Sequence, residues 1–317
     1  MSRCNYGRIW LTLLNSASEN SPVFSVIVNC RNSEGFLKQC LGSIQNQTYP
    51  DYEVIIWDNK STDKTFEIAS EFRESDNRFK VFKGAAPLKL GEARNMAIQA
   101  ARGQFIAFLD SDDLWHSNFL ADHMKALGQC DERIFGIGNV IEIDLTFNLL
   151  QASANDSLTE ITLSPKDIYK KLLKGNTIYF SSLVIPRSFF IQNAGFKGDY
   201  VQAEDYELLL RASRIMKCYK TGLAYYRIHD GNATSGQEDA LFMELLQILD
   251  SHSNHLWGWI SFKLAAARYF LYLSNLTYGQ RLDKLKSLSV GKADLLVGAI
   301  ILGAVTIRSE LLGKKAS

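Results

Sequence analysis

The chain is short of proline, of cysteine, of net charge and of long apolar runs, and each shortage removes a class of protein. Five prolines in 317 residues, beside 46% hydrophobic and 22% charged residues, exclude a collagenous, low-complexity or disordered chain and leave a folded globular one. The five cysteines (Cys4, Cys30, Cys40, Cys130 and Cys218) are odd in number, widely spaced and without a CxxC pair or a histidine at zinc-finger spacing. That pattern fits neither a disulfide framework nor a structural zinc site, and it points to a reducing, cytoplasmic setting. Thirty-five Lys and Arg against 34 Asp and Glu leave a formal charge of +1, so no whole-protein electrostatic case exists for nucleic acid as a partner. The longest strongly apolar, charge-free run is Leu295–Ile307, well below the roughly 20 residues a membrane span needs. Ile9–Leu14 is too short for a signal sequence, so residues 1–22 read as an N-terminal arm.

What is there is an alternation. From Phe24 onward, short β-branched or aromatic runs alternate with helical patterns, the mark of βαβ units on a mainly parallel sheet. Phe24–Cys30 reads as the first strand, nearly continuous in apolar character as a strand covered on both faces should be. Phe36, Leu37, Cys40, Leu41 and Ile44 make one helical stripe, ended by the turn-like Tyr49-Pro50-Asp51. Further strands are expected at Tyr52–Trp57, Phe79–Phe82, Phe105–Leu109, Phe135–Ile143, Ser182–Ile185 and Cys218–Tyr226. Helices are expected near 66–72, Gly91–Arg102, Asn118–Leu127, Lys166–Leu173 and Glu204–Ile215. The stretch 144–164 reads as a polar, irregular loop. The expected organisation is a Rossmann-like α/β domain over 23–239 and a helical extension over 240–317.

Ligands of open α/β sheets collect at the carboxyl ends of the strands, and acids stand there. Asp58-Asn-Lys-Ser-Thr-Asp63 follows the second strand and Asp110-Ser-Asp-Asp113 the fourth. Each cluster has a plain reading, in which Ser61, Thr62, Asp63, Asp112 or Asp113 caps the next helix. Three carboxylates in four residues exceed what a cap needs, because their repulsion costs stability unless a cation or donor offsets it. Hard oxygen ligands of this kind suit Mg²⁺ or Mn²⁺. The chain has no GxGxxG after the first strand, where it reads Asn29-Cys-Arg-Asn-Ser-Glu34, and no GxxxxGK[ST] anywhere, which excludes the usual dehydrogenase and P-loop fingerprints.

Taken in order, these segments resemble the family 2 glycosyltransferases of GT-A fold. The resemblance runs from about Phe24 to Ser235 through Ser43-Ile-Gln-Asn-Gln-Thr48, Ile55-Ile-Trp-Asp-Asn-Lys-Ser-Thr-Asp63, Gly91-Glu-Ala-Arg-Asn95, Ala107-Phe-Leu-Asp-Ser-Asp-Asp113, Gly195-Phe196, Glu204-Asp-Tyr-Glu-Leu208 and Tyr226-Arg-Ile-His229, with Asn232 and Ser235 behind. It implies a nucleotide-sugar donor, most plausibly UDP-linked. Asp58 then resembles the carboxylate that meets the uracil ring, Asn29 and Arg31 line the nucleoside pocket, and Arg94 is a helix-borne base or phosphate contact. Asp110 and Asp112 match the DxD motif, the first toward ribose or sugar and the second on the metal. The family pattern has Asp-Gly after the position of Asp58, where this chain has Asn59-Lys60, and the nucleobase is correspondingly less fixed.

Asp205 matches the carboxylate that acts as general base in inverting members, with Glu204 beside it. The plain reading of that pair is an acidic helix start favoured by the macrodipole. His229 alone is an ordinary histidine; within Tyr-Arg-Ile-His it resembles a residue that reaches the metal or diphosphate from a late loop. The loop Gly175–Phe180 resembles acceptor-side elements of the family, and its Tyr179 and Phe180 read either as sugar-stacking rings or as core.

The implied activity is transfer of a sugar, hexosyl or N-acetylhexosaminyl, to a saccharide hydroxyl, as in surface polysaccharide or lipopolysaccharide synthesis on a lipid-linked acceptor. Residues 1–250 hold 26 basic and 31 acidic side chains and residues 251–317 hold 9 and 3, so the tail is basic. Its apolar run, flanked by Lys286, Lys292, Arg308, Lys314 and Lys315, reads either as buried or as dipping into an anionic membrane surface, which would make the protein peripheral on the inner face of the cell membrane. Two rivals remain: a catalytically silent nucleotide- or sugar-binding protein on the same fold, and a sugar nucleotidyltransferase. The second expects a glycine-rich basic loop after the first strand that Asn29–Glu34 does not supply.

Overall fold

The computed structural model describes residues 21–127, 133–152, 161–173, 175–231 and 238–252. Nearly all of the expected N-terminal arm, Asn232, Ser235 and the tail segment Leu295–Ile307 lie outside the described residues. The chain divides into two compact units, Met1–Ala233 and Thr234–Ser317. Of the second, one helix is described, Glu238–Ser251. Among the described residues no helix is long and apolar enough to cross a membrane.

The first unit runs β1 (Phe24–Cys30), α1 (Leu37–Gln45), β2 (Tyr52–Asp58), α2 (Thr65–Ser75), β3 (Phe79–Lys83), α3 (Leu90–Ala100), β4 (Phe105–Phe108), β5 (Leu114–Trp115), α4 (Phe119–Leu127), β6 (Ile134–Ile143), β7 (Leu149–Ala152), β8 (Ile161–Leu163), α5 (Pro165–Leu172), β9 (Leu183–Pro186), α6 (Arg187–Gln192), α7 (Glu204–Ile215) and β10 (Lys217–Arg227). The strands form one sheet in the order β3-β2-β1-β4-β9-β6-β10-β5, with β7 beside β6 and β8 beside β10. β3, β2, β1 and β4 are parallel, β9 runs antiparallel between β4 and β6, and β10 is parallel to β6. The frame is therefore mainly parallel, with helices against it, the arrangement expected of a GT-A fold.

Strand character follows from burial. Every residue of β2 is buried, and Phe24, Val26, Val28 and Cys30 of β1 join Leu37, Cys40, Leu41 and Ile44 of α1 in one core. The polar positions in these strands, Ser25 and Glu53, answer each other: Ser25 Oγ donates to Glu53 at 2.7 Å, and Lys80 and Arg102 also reach that carboxylate. α3 lies against β1 and β2 and buries Ala93, Ala97 and Ile98.

Three features depart from the sequence reading. The stretch 144–164 is not wholly irregular, because β7 and β8 lie in it, paired to β6 and β10. Such short edge strands exist through their partners and carry too few residues for a period of their own. The same holds for β5, two residues long, and for α6, six. The β6–β7 connection is closed by Asp144, whose carboxylate accepts from the backbone and side chains of Thr146 and Asn148 at 2.8–2.9 Å.

Candidate functional site

The motifs scattered along the sequence come together as one packing unit at the carboxyl edge of the sheet. Gly91, at the start of α3, lies so close to Phe196 and Glu204 that a Cβ there would sit 3.2 and 3.3 Å from their side chains. Asn95, one turn on, holds the backbone of Phe196 from both sides, donating to its carbonyl at 2.8 Å and accepting its N–H at 2.9 Å. The preceding Gly195 has φ of 65°, and an added Cβ would meet Asn95. Arg94 sits between these two contacts. Its terminal nitrogens donate to Glu204 at 2.6 Å and Asp110 at 2.8 Å, and its guanidinium lies 3.9 Å from the ring of Phe180.

The three acids after β4 have three separate fates. Asp110 takes Arg94. Asp113 is fully buried and accepts from Ser181 Oγ and, at 2.9 Å, from the backbone N–H of Arg227. Burial, then Asp112 and Asp110, push its carboxyl well above the usual range. Asp112 remains on the open side with His229, Nε2 to Oδ2 at 3.1 Å. Burial and the Asp110 charge raise the Asp112 carboxyl too, and His229 opposes them. Arg227 fixes this arrangement: it donates to the Asp112 carbonyl at 2.9 Å and to Gln39 at 2.8 Å, and lies 5.1 Å from both Phe36 and Phe147. Phe36 in turn packs on the His229 ring at 4.6 Å. The helix-capping reading of Asp112 and Asp113 fails, because the element they precede is β5.

Glu204 and Asp205 begin α7, but neither caps it; the N-cap is Ala203 and makes no side-chain bond. Glu204 is buried on Arg94, and burial pushes its carboxyl up to about 7 against the pull of that arginine. Asp205 is partly exposed. Burial raises its carboxyl, Arg94 opposes this and Asp110 adds to it, so Asp205 shares the field of the β4 acids. Asn176 approaches it, Nδ2 to Oδ2 at 3.5 Å.

At the other end of the site, Asp58 closes β2 fully buried. Its Oδ1 accepts from Ser61 N at 3.0 Å, and its Oδ2 has no partner among the described residues. Neither amide atom of Asn29 at the end of β1 has one, nor does Trp57 Nε1. Arg31 is exposed in the turn after β1. Asn59 exchanges two hydrogen bonds with the backbone of Leu88, at 2.8 and 2.9 Å, tying the β3–α3 connection to the end of β2. Lys60 has φ of 64°, so this lysine occupies the left-handed conformation that the family pattern gives to glycine. Asp63 accepts from Thr65 N at 3.0 Å, an ordinary helix-start bond.

The predicted residues thus fall into groups. Asp110, Asp112, Glu204, Asp205, Arg94 and His229 are linked through contacts or a shared field, while Asp58, Asn29 and Arg31 stand at the ends of β1 and β2. Arg94 and Glu204 are turned toward each other inside the protein, which makes them the scaffold of the site in this structure; the expectation that Arg94 contacts base or phosphate finds its terminal nitrogens already engaged. Sequence reading gave no site role to Arg227 or Ser181, and gave Asn176 one only as part of the acceptor-side loop Gly175–Phe180. Arg227 stood inside the Tyr-Arg-Ile-His segment, but nothing in a sequence tells which carboxylate its backbone N–H meets.

The profile of glycosyl transferase family 2 matches residues 25–189. The chain is 31% identical over 245 residues to EpsH of Bacillus subtilis (strain 168), described as a glycosyltransferase, covering 74% of this chain and 70% of that one. It is 30% identical over 228 residues to an Escherichia coli protein, the UDP-Glc:alpha-D-GlcNAc-diphosphoundecaprenol beta-1,3-glucosyltransferase WfaP, covering 70% and 82%. The solved structure of Staphylococcus aureus TarS 1–349 in complex with UDP-GlcNAc superposes with a TM-score of 0.64 at 22% identity, over 84% of this chain and 79% of that one. Fold and matches define a glycosyltransferase. This chain belongs to glycosyl transferase family 2.

Proposed function

We propose that the protein is an inverting, divalent-metal-dependent transferase that takes a sugar from a UDP-linked donor and places it on a hydroxyl of a lipid-linked saccharide in bacterial surface polysaccharide synthesis. The observation that carries this reading is the split among the three β4 acids: Asp113 is satisfied inside the protein, Asp110 spends one oxygen on Arg94, and Asp112 stands partly exposed beside His229. A carboxylate and an imidazole side by side fit a hard or borderline divalent cation that takes its remaining ligands from diphosphate and water. Among the described residues no group of three or more His, Cys, Asp or Glu is placed to hold a metal ion, so Asp112 and His229 would supply only part of its coordination. Mg²⁺ or Mn²⁺ held there by Asp112 and His229 would offset the charge that develops on a departing nucleoside diphosphate.

The remaining steps belong to the chain's own groups. Asp58, with one buried oxygen unengaged, offers an acceptor to an imide N–H of a pyrimidine base, and the Asn29 amide beside it can answer a ring carbonyl. Asp110, with one oxygen on Arg94, faces ribose or sugar with the other. Asp205 takes the proton of the acceptor hydroxyl, and its raised carboxyl suits that task. Glu204 and Arg94 hold the first turn of α7, and therefore Asp205, in place. The lipid-linked acceptor is supported by the name of the E. coli relative, whose acceptor is a diphosphoundecaprenol-linked sugar. The extension from residue 240 is then the membrane-facing part of the protein, and 23–239 the catalytic domain.

The test is a thermal-shift screen of UDP, GDP, CDP and dTDP with and without Mn²⁺, followed by donor turnover. UDP with Mn²⁺ is expected to raise the Tm most, and Asp112→Ala to abolish both the metal-dependent part of that rise and the turnover. A shift indifferent to metal, or greater for another base, refutes the corresponding part of the reading.

A further inference from the structure

On the strands beyond the acid cluster, Glu142 of β6 and Tyr226 of β10 are directly opposite in register, so their side chains share one face of the sheet. Tyr179 reaches the same place from the segment before β9. Its hydroxyl donates to Glu142 Oε1 at 2.5 Å, and its ring lies 5.0 Å from that of Tyr226 at 55°. All three residues are half-buried. The bond from Tyr179 is the only hydrogen bond to the Glu142 side chain among the described residues, and no cation pairs with it there. The Tyr226 hydroxyl likewise has no protein partner among them.

This cluster is fixed to the catalytic end on two sides. Tyr226 is followed by Arg227, whose N–H holds Asp113, and two residues later by His229 on Asp112. Tyr179 lies two residues before Ser181, which bonds both Asp113 and the backbone N–H of Asp110. It also lies three residues after Asn176, the neighbour of Asp205, so the two Cα atoms are no more than about 11 Å apart. A half-buried carboxylate that meets one tyrosine hydroxyl and no cation keeps acceptor capacity that the described protein groups do not use. Its chemistry suits neutral donors, and the two rings beside it suit a flat apolar face. A pyranose presents both: hydroxyls around its rim and C–H groups on its face.

We propose that Glu142, Tyr179 and Tyr226 form the subsite that holds the acceptor sugar, with Glu142 accepting from its hydroxyls, Tyr226 offering its ring and hydroxyl, and Tyr179 orienting Glu142. The inference rests on the transferase reading above and adds the acceptor-side residues to it. Glu142 and Tyr226 contact substrate; Tyr179 is a positioning residue.

The test uses the full chain, saturated with UDP and Mn²⁺, and saturation-transfer NMR with the methyl glycosides of glucose, galactose, GlcNAc and GalNAc. At least one glycoside is expected to bind. Glu142→Gln should weaken it about tenfold or more, the loss of a charge-assisted hydrogen bond. Tyr226→Phe should weaken it less, and Tyr179→Phe should follow Glu142→Gln in direction. The Tm of each variant without ligand reports folding, and the UDP-induced rise in Tm should match wild type in all three. Binding of no glycoside, or equal binding by wild type and Glu142→Gln, overturns the subsite while leaving the donor reading intact. Failure of UDP to raise the Tm of the wild type instead counts against the donor reading.

Discussion

His229 Nε2 stands 3.1 Å from Asp112 Oδ2, although 117 positions separate the two residues. The contact exists because β10 runs beside β5 and β6 and delivers residues 228 and 229 back over the end of β4. Arg227 locks the approach by holding the Asp112 carbonyl with its side chain and Asp113 with its backbone. A carboxylate that would otherwise face only other acids thereby gains an imidazole nitrogen as neighbour.

Asp112→Asn should lower transfer by at least about 100-fold, because even outer-shell partners of a metal site are worth roughly 10–100-fold. His229→Ala should lower it less and raise the Mn²⁺ concentration needed for half-maximal rate. Chelation with EDTA should abolish transfer and added Mn²⁺ restore it. Rates measured across a Mn²⁺ titration check all three, and full activity in EDTA would remove the metal from the mechanism.

Arg94 carries a structural prediction. It is buried between Glu204 and Asp110 and pairs with both. Arg94→Met should destabilise the protein by about 3–5 kcal/mol, the usual result of stranding a buried charge. Adding Glu204→Gln should recover part of the loss, since the stranded carboxylate is then neutral. Urea denaturation of the two single variants and the double variant measures the coupling; strict additivity would show that the pair is not coupled.

Much of the frame was legible because it follows from period and composition. Phe24–Cys30 is a strand with the expected ends and Glu204–Ile215 a helix with the expected ends, each set by a run of buried side chains. β7, β8 and α6 were not legible, since each depends on a neighbour or is too short to show periodicity. The site was legible as a list of acids and not as a circuit. The resemblance gives motif roles to Asp110 and Asp112, and only the three-dimensional placement of Arg94, His229 and Ser181 shows what each of the three acids meets. Arg94 shows the same limit: the resemblance implies a base or phosphate contact, and nothing in the chain shows the two carboxylates that its guanidinium meets.

Lys60 offers a test at the turn after β2. With φ of 64° and an exposed side chain, it holds a conformation that costs a non-glycine residue about 1–2 kcal/mol. Glycine removes that cost but brings an unfolded-state entropy of about 0.5–1 kcal/mol. Lys60→Gly should therefore stabilise by up to about 1 kcal/mol, whereas Lys60→Val should destabilise by more than about 1 kcal/mol. Denaturant midpoints of the two variants check the sign, and a Val variant as stable as wild type would show that the turn relaxes freely.

Glu204 makes stability depend on pH in an unusual direction. Burial, the main cause, pushes its carboxyl up to about 7 in the folded protein from 4.5 for the free group. Between those values the native state keeps a proton that the unfolded chain has released, so this group's contribution is complete below about 4.5 and is lost as pH rises to about 7. Glu204→Gln should flatten that fall, measured as the difference in urea midpoint between about pH 5 and about pH 8. An unchanged difference would show that Arg94 keeps Glu204 ionised throughout.

Asp205 should set the acid limb of the rate. A base must be deprotonated to accept the acceptor's proton, and burial together with the Asp110 charge raises this carboxyl while Arg94 opposes them. The rate should therefore fall, as pH falls, at a value above the ordinary 3.8 of an aspartate. Asp205→Asn should remove transfer but leave the UDP-induced rise in Tm intact, because Asp205 acts on the acceptor and not on the nucleotide. Arg94 separates this limb from a simple burial effect: Arg94→Lys retains the charge but loses the two-armed geometry, and should move the limb further upward. The pH profile of kcat/KM for wild type and Arg94→Lys decides it. Coincident limbs would mean that the titrating group lies elsewhere, and an Asp205→Asn variant with wild-type kcat would exclude Asp205 as the base.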